Sequence, residues 1–407
     1  MVRQLFHATV PTALRGPMLV DELGMPRYWS AVWSAVSTSQ LADSTHEKKL
    51  RFIDQLYRHA DGLHGRNSLD NALAALDDLA LAEILESWFV AIRNQANATG
   101  TDEKRWQTGL SFVTSLVTWL STSQSSHDRL KRIEQRLHRL HTLYSQLHVR
   151  RVKSVEVIRS LPASTVETLY GMLDPTSAQN PFAREKTRWR VFVSFVLMLH
   201  QGLRRGEILL LSADAVKSAF DAGQQRTRYW LNVRHSPYED AGSDPRYSKP
   251  SIKTVDSIRQ IPVSELTAKL VQTYAENYRG RPDHSFLLNS QANTPLSTEA
   301  LTKVFVQIST AMPPDVRKEL SDRTGKTVVS PHDLRHTSAV LRLHQLIAQG
   351  DQMDEALQKL RTFFGWAKQS TMPSRYARAV FEDRLANVWN DAFDERVNLL
   401  RALPKGH

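Results

Sequence analysis

The sequence predicts a mainly α-helical protein with one small β-sheet, divided into an N-terminal helical domain and a larger second domain. Three observations carry this. Apolar residues recur at three- and four-residue spacing through most of the first 150 positions, as one face of a helix requires. A run of aromatic and β-branched residues at 229–233, followed by another at 258–263, replaces that period with strand-like composition. Between the two halves the helical period lapses over residues 151–162, which end in Leu161-Pro162.

In chain order, residues 1–25 show no firm period and contain Pro11, Gly16 and Pro17, so they read as an N-terminal arm. Residues 26–150 read as the helical domain. Within it, Ser44-Thr45-His46-Glu47 has the capping-box pattern and precedes Leu50, Ile53, Leu56 and Tyr57 at helical spacing. A second apolar run spans 79–92, and a third holds Trp106, Leu110, Val113, Leu116 and Leu120. A fourth begins near Ser125 and aligns Leu130, Ile133, Leu137, Leu140, Leu143 and Leu147. That last stretch is basic: Arg129, Lys131, Arg132, Arg136, Arg139, Arg150, Arg151 and Lys153 face only Asp128 and Glu134. Such a run is either a solvated helix face or a surface that tracks a polyanion backbone.

Residues 151–162 are the expected linker, and 163–407 the second domain. A helix is expected from about Ser164, then a loop at 174–181 and a dense apolar helix at 189–200 that Gly202 breaks. Residues 203–211 resume the helical pattern. Strand pieces are expected at 229–233, 251–254 and 258–263, with 235–250 an exposed loop on account of Pro237, Gly242, Pro245 and Pro250. Helices return at Ser264 and Ser297. Ser330-Pro331 opens another, because serine caps free N–H groups and proline fits the first turn. Residues 382–400 form a final amphipathic helix.

Composition narrows the function classes. The 407 residues include 53 Lys+Arg against 42 Asp+Glu, a net charge of +11, which favours polyanionic partners. With no cysteine there is no disulfide, thiolate nucleophile or cysteine-held metal. The longest apolar run, 191–199, is too short to cross a bilayer, and the N-terminus lacks the pattern of a signal peptide. A soluble, cytoplasmic protein without membrane partners is the expectation. Gly325-Lys326-Thr327 is not a phosphate loop, since Leu320 stands where the upstream glycine would be. No carboxylate or histidine cluster has metal-ligand spacing, so neither metal nor other cofactor is expected.

His332 and Arg335 are three apart near a helix N-terminus, where an anion is favoured. Arg204 and Glu207 stand at the same spacing after the Gly202 break. Singly, each pair is most often a helix-surface feature. In order, they are more specific. Gly202-Leu203-Arg204-Arg205-Gly206-Glu207, His332-Asp333-Leu334-Arg335-His336-Thr337, and Phe364-Gly365-Trp366 followed by Tyr376 resemble the conserved boxes of the tyrosine recombinase (phage integrase) family. Residues 252–262 resemble its lysine-bearing hairpin. The resemblance covers about residues 155–385. One departure is Trp366, which stands where the family usually has histidine; indole N–H donates one hydrogen bond but shuttles no proton.

The resemblance implies a helical core-DNA-binding domain and an α/β catalytic domain that together clamp double-stranded DNA. It implies catalysis by Arg204, Lys253, His332, Arg335, Trp366 and Tyr376. Two arginine forks grip the scissile phosphate, and His332 takes the phenol proton or bonds the phosphate. Tyr376 attacks to give a 3′-phosphotyrosine, and Lys253, with Lys249 as the fallback, protonates the 5′ leaving group. Glu207 and His336 would support these from behind, and Lys131, Arg132, Arg150, Arg151 and Lys153 would bind DNA. The expected function is site-specific recombination or integration for a mobile element, by a tetramer on DNA with or without accessory DNA-bending proteins. The 382–400 helix packs either between protomers or on its own domain. A type IB topoisomerase-like enzyme and a non-catalytic DNA-binding protein are the alternatives.

Overall fold

The structure is a computed structural model that describes residues 1–5, 15–37, 41, 43–122, 142, 144, 146–149, 160–238, 244–252 and 254–377. The chain divides into two compact units, Met1–Val155 and Glu156–His407.

Where an N-terminal arm is expected, the first unit instead begins with β1 (Val2–Leu5) and β2 (Gly16–Leu19), paired antiparallel with Val2 opposite Leu19. Pro17 is compatible with this two-stranded ribbon because every strand in it is an edge. Leu19 is buried in the helical core, and the terminal ammonium donates to Asp54 Oδ1 at 2.8 Å. The ribbon is therefore part of the core rather than an arm. Then follow α1 (Tyr28–Ser37), α2 (Asp43–His64), α3 (Ser68–Ala75), α4 (Asp78–Arg93) and α5 (Gly100–Thr122). Asp77 caps α4 by accepting from the N–H groups of Leu79 and Ala80, both at 3.1 Å. The expected helical spacings do bury their apolar faces. Leu50, Ile53, Leu56 and Tyr57 of α2 meet Trp106, Phe112 and Val113 of α5 and Trp88 of α4 in one core. Most of the expected fourth helix, including Lys131 and Arg132, lies outside the described residues, as do Arg150, Arg151 and Lys153.

The second unit opens with α6 (Ala163–Leu173) and α7 (Glu185–His200). The apolar run of α7 is buried on nearly all sides, which explains why it shows no polar face in the sequence. Next come α8 (Arg205–Leu210), β3 (Val216–Asp221), β4 (Arg226–Val233) and β5 (Arg259–Val263). The sheet order is β3-β4-β5, antiparallel throughout, with Leu231 opposite both Val216 and Ile261. One expectation fails here, and another holds with an exception. Residues 251, 252 and 254 are not strand, and a short 3₁₀ turn, Val255–Ser257, leads into β5. In the 235–250 segment, Arg246 is buried: it pairs with Asp244 at 2.6 Å and donates to the carbonyls of Leu209 at 2.9 Å and Leu296 at 3.2 Å. The other described residues of that segment form the exposed or half-exposed connection expected, with Arg246 as its buried anchor.

The remaining elements are α9 (Glu265–Thr273), α10 (Thr298–Ala311), α11 (Pro314–Thr324), α12 (Pro331–Ala348) and α13 (Met353–Phe364), followed by a helical segment at 372–377. Ser264 and Ser297 cap α9 and α10 as their sequence positions suggest. The unit's main core joins α7, α8, the inner sheet face and α10. A second cluster joins α12 and α13 to Trp366 and Tyr376. The expected 382–400 helix lies outside the described residues. No described helix is long and apolar enough to cross a membrane.

Candidate active site

Glu207 is the centre of the site. It sits on the short helix α8, is 2 % exposed, and faces three arginines from different parts of the chain. Arg204, just ahead of α8, donates its backbone N–H to Oε2 at 2.9 Å and a guanidinium N–H to Oε1 at 2.6 Å. Arg259, the first residue of β5, bonds both carboxylate oxygens at 3.1 Å. Arg335 on α12 approaches Oε2 at 3.8 Å. Burial pushes the Glu207 pKa up, but Arg259, then Arg335 and Arg204, outweigh it and hold the carboxyl below its usual range.

The arginines are fixed by backbone as well as by charge. Arg335 donates to the carbonyls of Gly202 and, at 2.7 Å, Phe364, and lies over the Phe364 ring at 4.9 Å. Arg204 donates to Ser257 Oγ at 2.9 Å and to the Gly365 carbonyl at 3.2 Å. Arg259 donates to the Phe363 carbonyl at 2.8 Å. These carbonyls come from the two turns whose glycines the sequence boxes contain. Gly202 and Gly365 both have φ of 58°, and a Cβ at Gly202 would lie 2.2 Å from Phe364. Only glycine lets the turns come this close. Burial lowers the Arg335 pKa to about 9, with Arg204 adding to the effect and Glu207 opposing it. Three guanidiniums around one carboxylate leave an excess of two positive charges, and the Arg204 side chain remains 22 % exposed. The cluster is arranged to accept an anion from the solvent side.

The first turn of α12 adds two imidazoles. Asp333 accepts from the N–H and hydroxyl of Ser330 at 2.8 and 2.7 Å and pairs with Lys326, which ties down the helix start. His332 and His336, one turn apart, meet edge to face at 4.1 Å between ring centres. His332 stands exposed at the rim, yet crowding by protein and then Arg335 lower its pKa. His336 lies deeper, and burial, then His332, hold its pKa down to about 3.

Tyr376 is fully buried, at 0 % exposure. Its hydroxyl bonds His336 Nδ1 at 2.6 Å, and its ring stacks on Trp366 at 5.2 Å and 14°. Trp366 in turn stacks on Phe364 at 5.0 Å, and Arg335 lies 5.9 Å above the indole. Burial drives the phenol pKa far up, against the opposing fields of Arg335, Arg204 and Arg375.

Of the residues singled out in the sequence, the structure thus brings together Arg204, Glu207, His332, Arg335, His336, Trp366 and Tyr376. Lys253 lies outside the described residues, and Lys249 is exposed on the connection before it. The imidazole at the phenol is that of His336, not His332. Arg259 was not singled out. Its signal is alternation: it shares a strand face with Ile261, which is 0 % exposed, so an arginine at 259 points inward. No group of His, Asp or Glu among the described residues is arranged to hold a metal.

The match to the phage integrase family extends over residues 159–383. No curated protein matches the chain. Among solved structures, the chain is similar to the XerA recombinase at 13% identity and a TM-score of 0.33, over 88% of this chain and 97% of that one. It is also similar to the XerH site-specific recombinase bound to its difH substrate in a pre-cleavage complex, at 15% identity and a TM-score of 0.41, over 84% and 81% of the two chains. The family match takes in the arginine cluster, both histidines and the buried tyrosine and spans more than half of the chain, which therefore belongs to the phage integrase family of tyrosine recombinases.

Proposed function

We propose that this protein breaks and rejoins double-stranded DNA at specific sites through a covalent bond between Tyr376 and a 3′ phosphate, in the service of a mobile element. The observation that supports this most is the charge imbalance at Glu207, where Arg204, Arg259 and Arg335 surround a single carboxylate. A DNA phosphodiester supplies one of the two missing negative charges and its dianionic transition state the second, and Arg204 and Arg335 retain N–H donors for its non-bridging oxygens. Because the transition state concentrates charge on those oxygens, fixed donors stabilise it more than the ground state.

In the step itself, the Tyr376 oxygen bonds to phosphorus while the bond to the 5′ oxygen breaks. His332, at the rim, accepts the phenol proton, and Lys253 gives a proton to the departing 5′ hydroxyl. Trp366 carries no proton; its indole N–H is a donor for a phosphate oxygen. The covalent ester keeps the energy of the broken bond for rejoining, so no external energy source is needed. In this reading Lys131, Arg132, Arg150, Arg151 and Lys153 of the helical unit contact the DNA backbone, and residues 382–400 join protomers in a tetramer.

The test is a denaturing gel. DNA carrying the cognate site should give a covalent adduct with the wild-type protein and none with Tyr376→Phe. An adduct that persists in Tyr376→Phe would refute the assignment. Relaxation of any plasmid without recombined product would make the enzyme a topoisomerase instead.

A further inference from the structure

Among the described residues, the hydrogen bonds of Arg204 and Arg335 run to Glu207, Ser257 and the carbonyls of Gly202, Phe364 and Gly365. None runs to the phenol. Tyr376 instead has its hydroxyl on His336 Nδ1 at 2.6 Å and its ring against Trp366. Its buried hydroxyl is engaged by His336 and not by the arginine cluster that would hold a phosphodiester. This seat therefore differs from the geometry of attack.

We propose that His336 is a positioning residue for the nucleophile: with Trp366 it holds the phenol buried and protonated in the free protein, and the phenol leaves this seat to reach a phosphate on Arg204 and Arg335. The inference rests on reading Tyr376 as the nucleophile.

The chemistry of the pair fits a holder better than a base. Nδ1 accepts the phenol O–H, which puts the ring proton on Nε2. The imidazole resists protonation because of burial and the adjacent His332, while the phenol resists ionisation because it is buried. Proton transfer within the pair is thus unfavourable in both directions. The hydrogen bond stays neutral, and the tyrosine stays unreactive. The segment between Gly365 and the helical turn at 372–377 is short and separately anchored, since Arg361 donates to the Ala367 carbonyl at 3.0 Å. Movement of the phenol takes its ring out of the cluster it shares with α12 and α13, while the Arg361 bond keeps the segment after Gly365 in place.

Tetranitromethane nitration of the DNA-free full-length protein, mapped by peptide mass, reads the seat directly. In the wild type, Tyr376 should react far more slowly than Tyr247, which is 79 % exposed. His336→Leu should speed nitration of Tyr376 about two- to tenfold, the factor that one net hydrogen bond provides. His336→Gln, whose amide oxygen can accept the same O–H, should stay within about twofold of wild type. Unchanged nitration in a folded His336→Leu would overturn the proposal. So would an adduct rate falling more than 100-fold in that variant with nitration unchanged, because His336 would then be a base in the attack. If His336→Leu does not fold, long-range ¹H–¹⁵N NMR of the wild type and Tyr376→Phe decides the matter. Loss of the phenol should move the His336 Nδ1 resonance, and an unmoved resonance would overturn the proposal. Nitration and NMR use no DNA, so the seat can be refuted while the recombinase reading stands, and the reverse.

Discussion

Each unit of the protein buries a cluster of arginine and carboxylate side chains, and the two clusters are unbalanced in opposite senses. In the helical unit, Arg27 pairs with Asp61 at 2.5 Å, lies 3.9 Å from Asp70, and covers the ring of Tyr57, whose hydroxyl donates to Asp70 at 2.6 Å. One cation faces two carboxylates, and the phenol supplies a hydrogen bond to one of them. In the catalytic unit, three cations face one carboxylate. The first cluster keeps an excess of one negative charge and reads as structure; the second keeps an excess of positive charge and reads as a site for an anion. Burial and ion pairing are common to both, so neither identifies function by itself. The sign of the residual charge does.

The largest expected effect is on chemistry. Arg335→Ala should lower the rate of adduct formation by roughly 10²–10³, as loss of a transition-state donor does in other enzymes. Arg335→Lys should do nearly as badly, because an ammonium cannot span the Gly202 and Phe364 carbonyls as a planar fork does. An Arg335→Lys enzyme of near wild-type rate would show that charge alone suffices. Arg27→Met, by contrast, should destabilise the helical unit in urea unfolding and leave the adduct rate of the folded fraction unchanged.

The next effect is on stability. Glu207→Gln leaves three arginines with no carboxylate and should cost about 3 kcal/mol, the usual penalty for breaking a buried pair from one side. Its pH signature follows from the lowered Glu207 pKa. The stabilisation is present above about 4.5, the ordinary glutamate value, and is lost as pH falls through the folded-state value. The gap between wild type and Glu207→Gln in urea midpoint should therefore close in acid. Asp70 behaves oppositely. Burial, outweighing its bond from Tyr57 and the field of Arg27, raises its pKa, so its contribution becomes more favourable as pH falls toward 3.8. Asp70→Asn should remove that acid-side gain. If both clusters responded to acid with the same sign, the contrast drawn here would fail.

The smallest effect is on ligand-linked melting. Inorganic phosphate should raise the melting temperature of the catalytic unit by a few degrees at about ten times its dissociation constant. Arg204→Ala should abolish the shift, whereas Arg27→Met should not.

How much of this was legible in the sequence depended on whether a residue's role was set locally. The Gly202–Glu207 and His332–Arg335 spacings are properties of single turns, so they pointed to the right helix starts. The α2, α4 and α5 faces were visible because 3.6-residue periodicity survives any tertiary arrangement. The ribbon of β1 and β2 was not, because Gly16 and Pro17 signal a loop and only pairing with residues 2–5 makes them strand. Arg246 was read as exposed because its partners, Leu209 and Leu296, are distant in sequence. Arg259 does carry a local signal, its alternation with the buried Ile261, but a cation in a short strand more often faces solvent. The seat of Tyr376 on His336 joins residues forty apart and had no sequence signal.

The stacking of Trp366 on Tyr376 also gives the enzyme an optical gauge. An indole's emission depends on what lies against its face, and this one lies parallel to the phenol at 5.2 Å. Subtracting the spectrum of Trp366→Phe from that of the wild type would isolate its fluorescence from that of the other indoles among the nine tryptophans. Stopped-flow mixing with DNA would then time the departure of the phenol separately from the cutting of the strand.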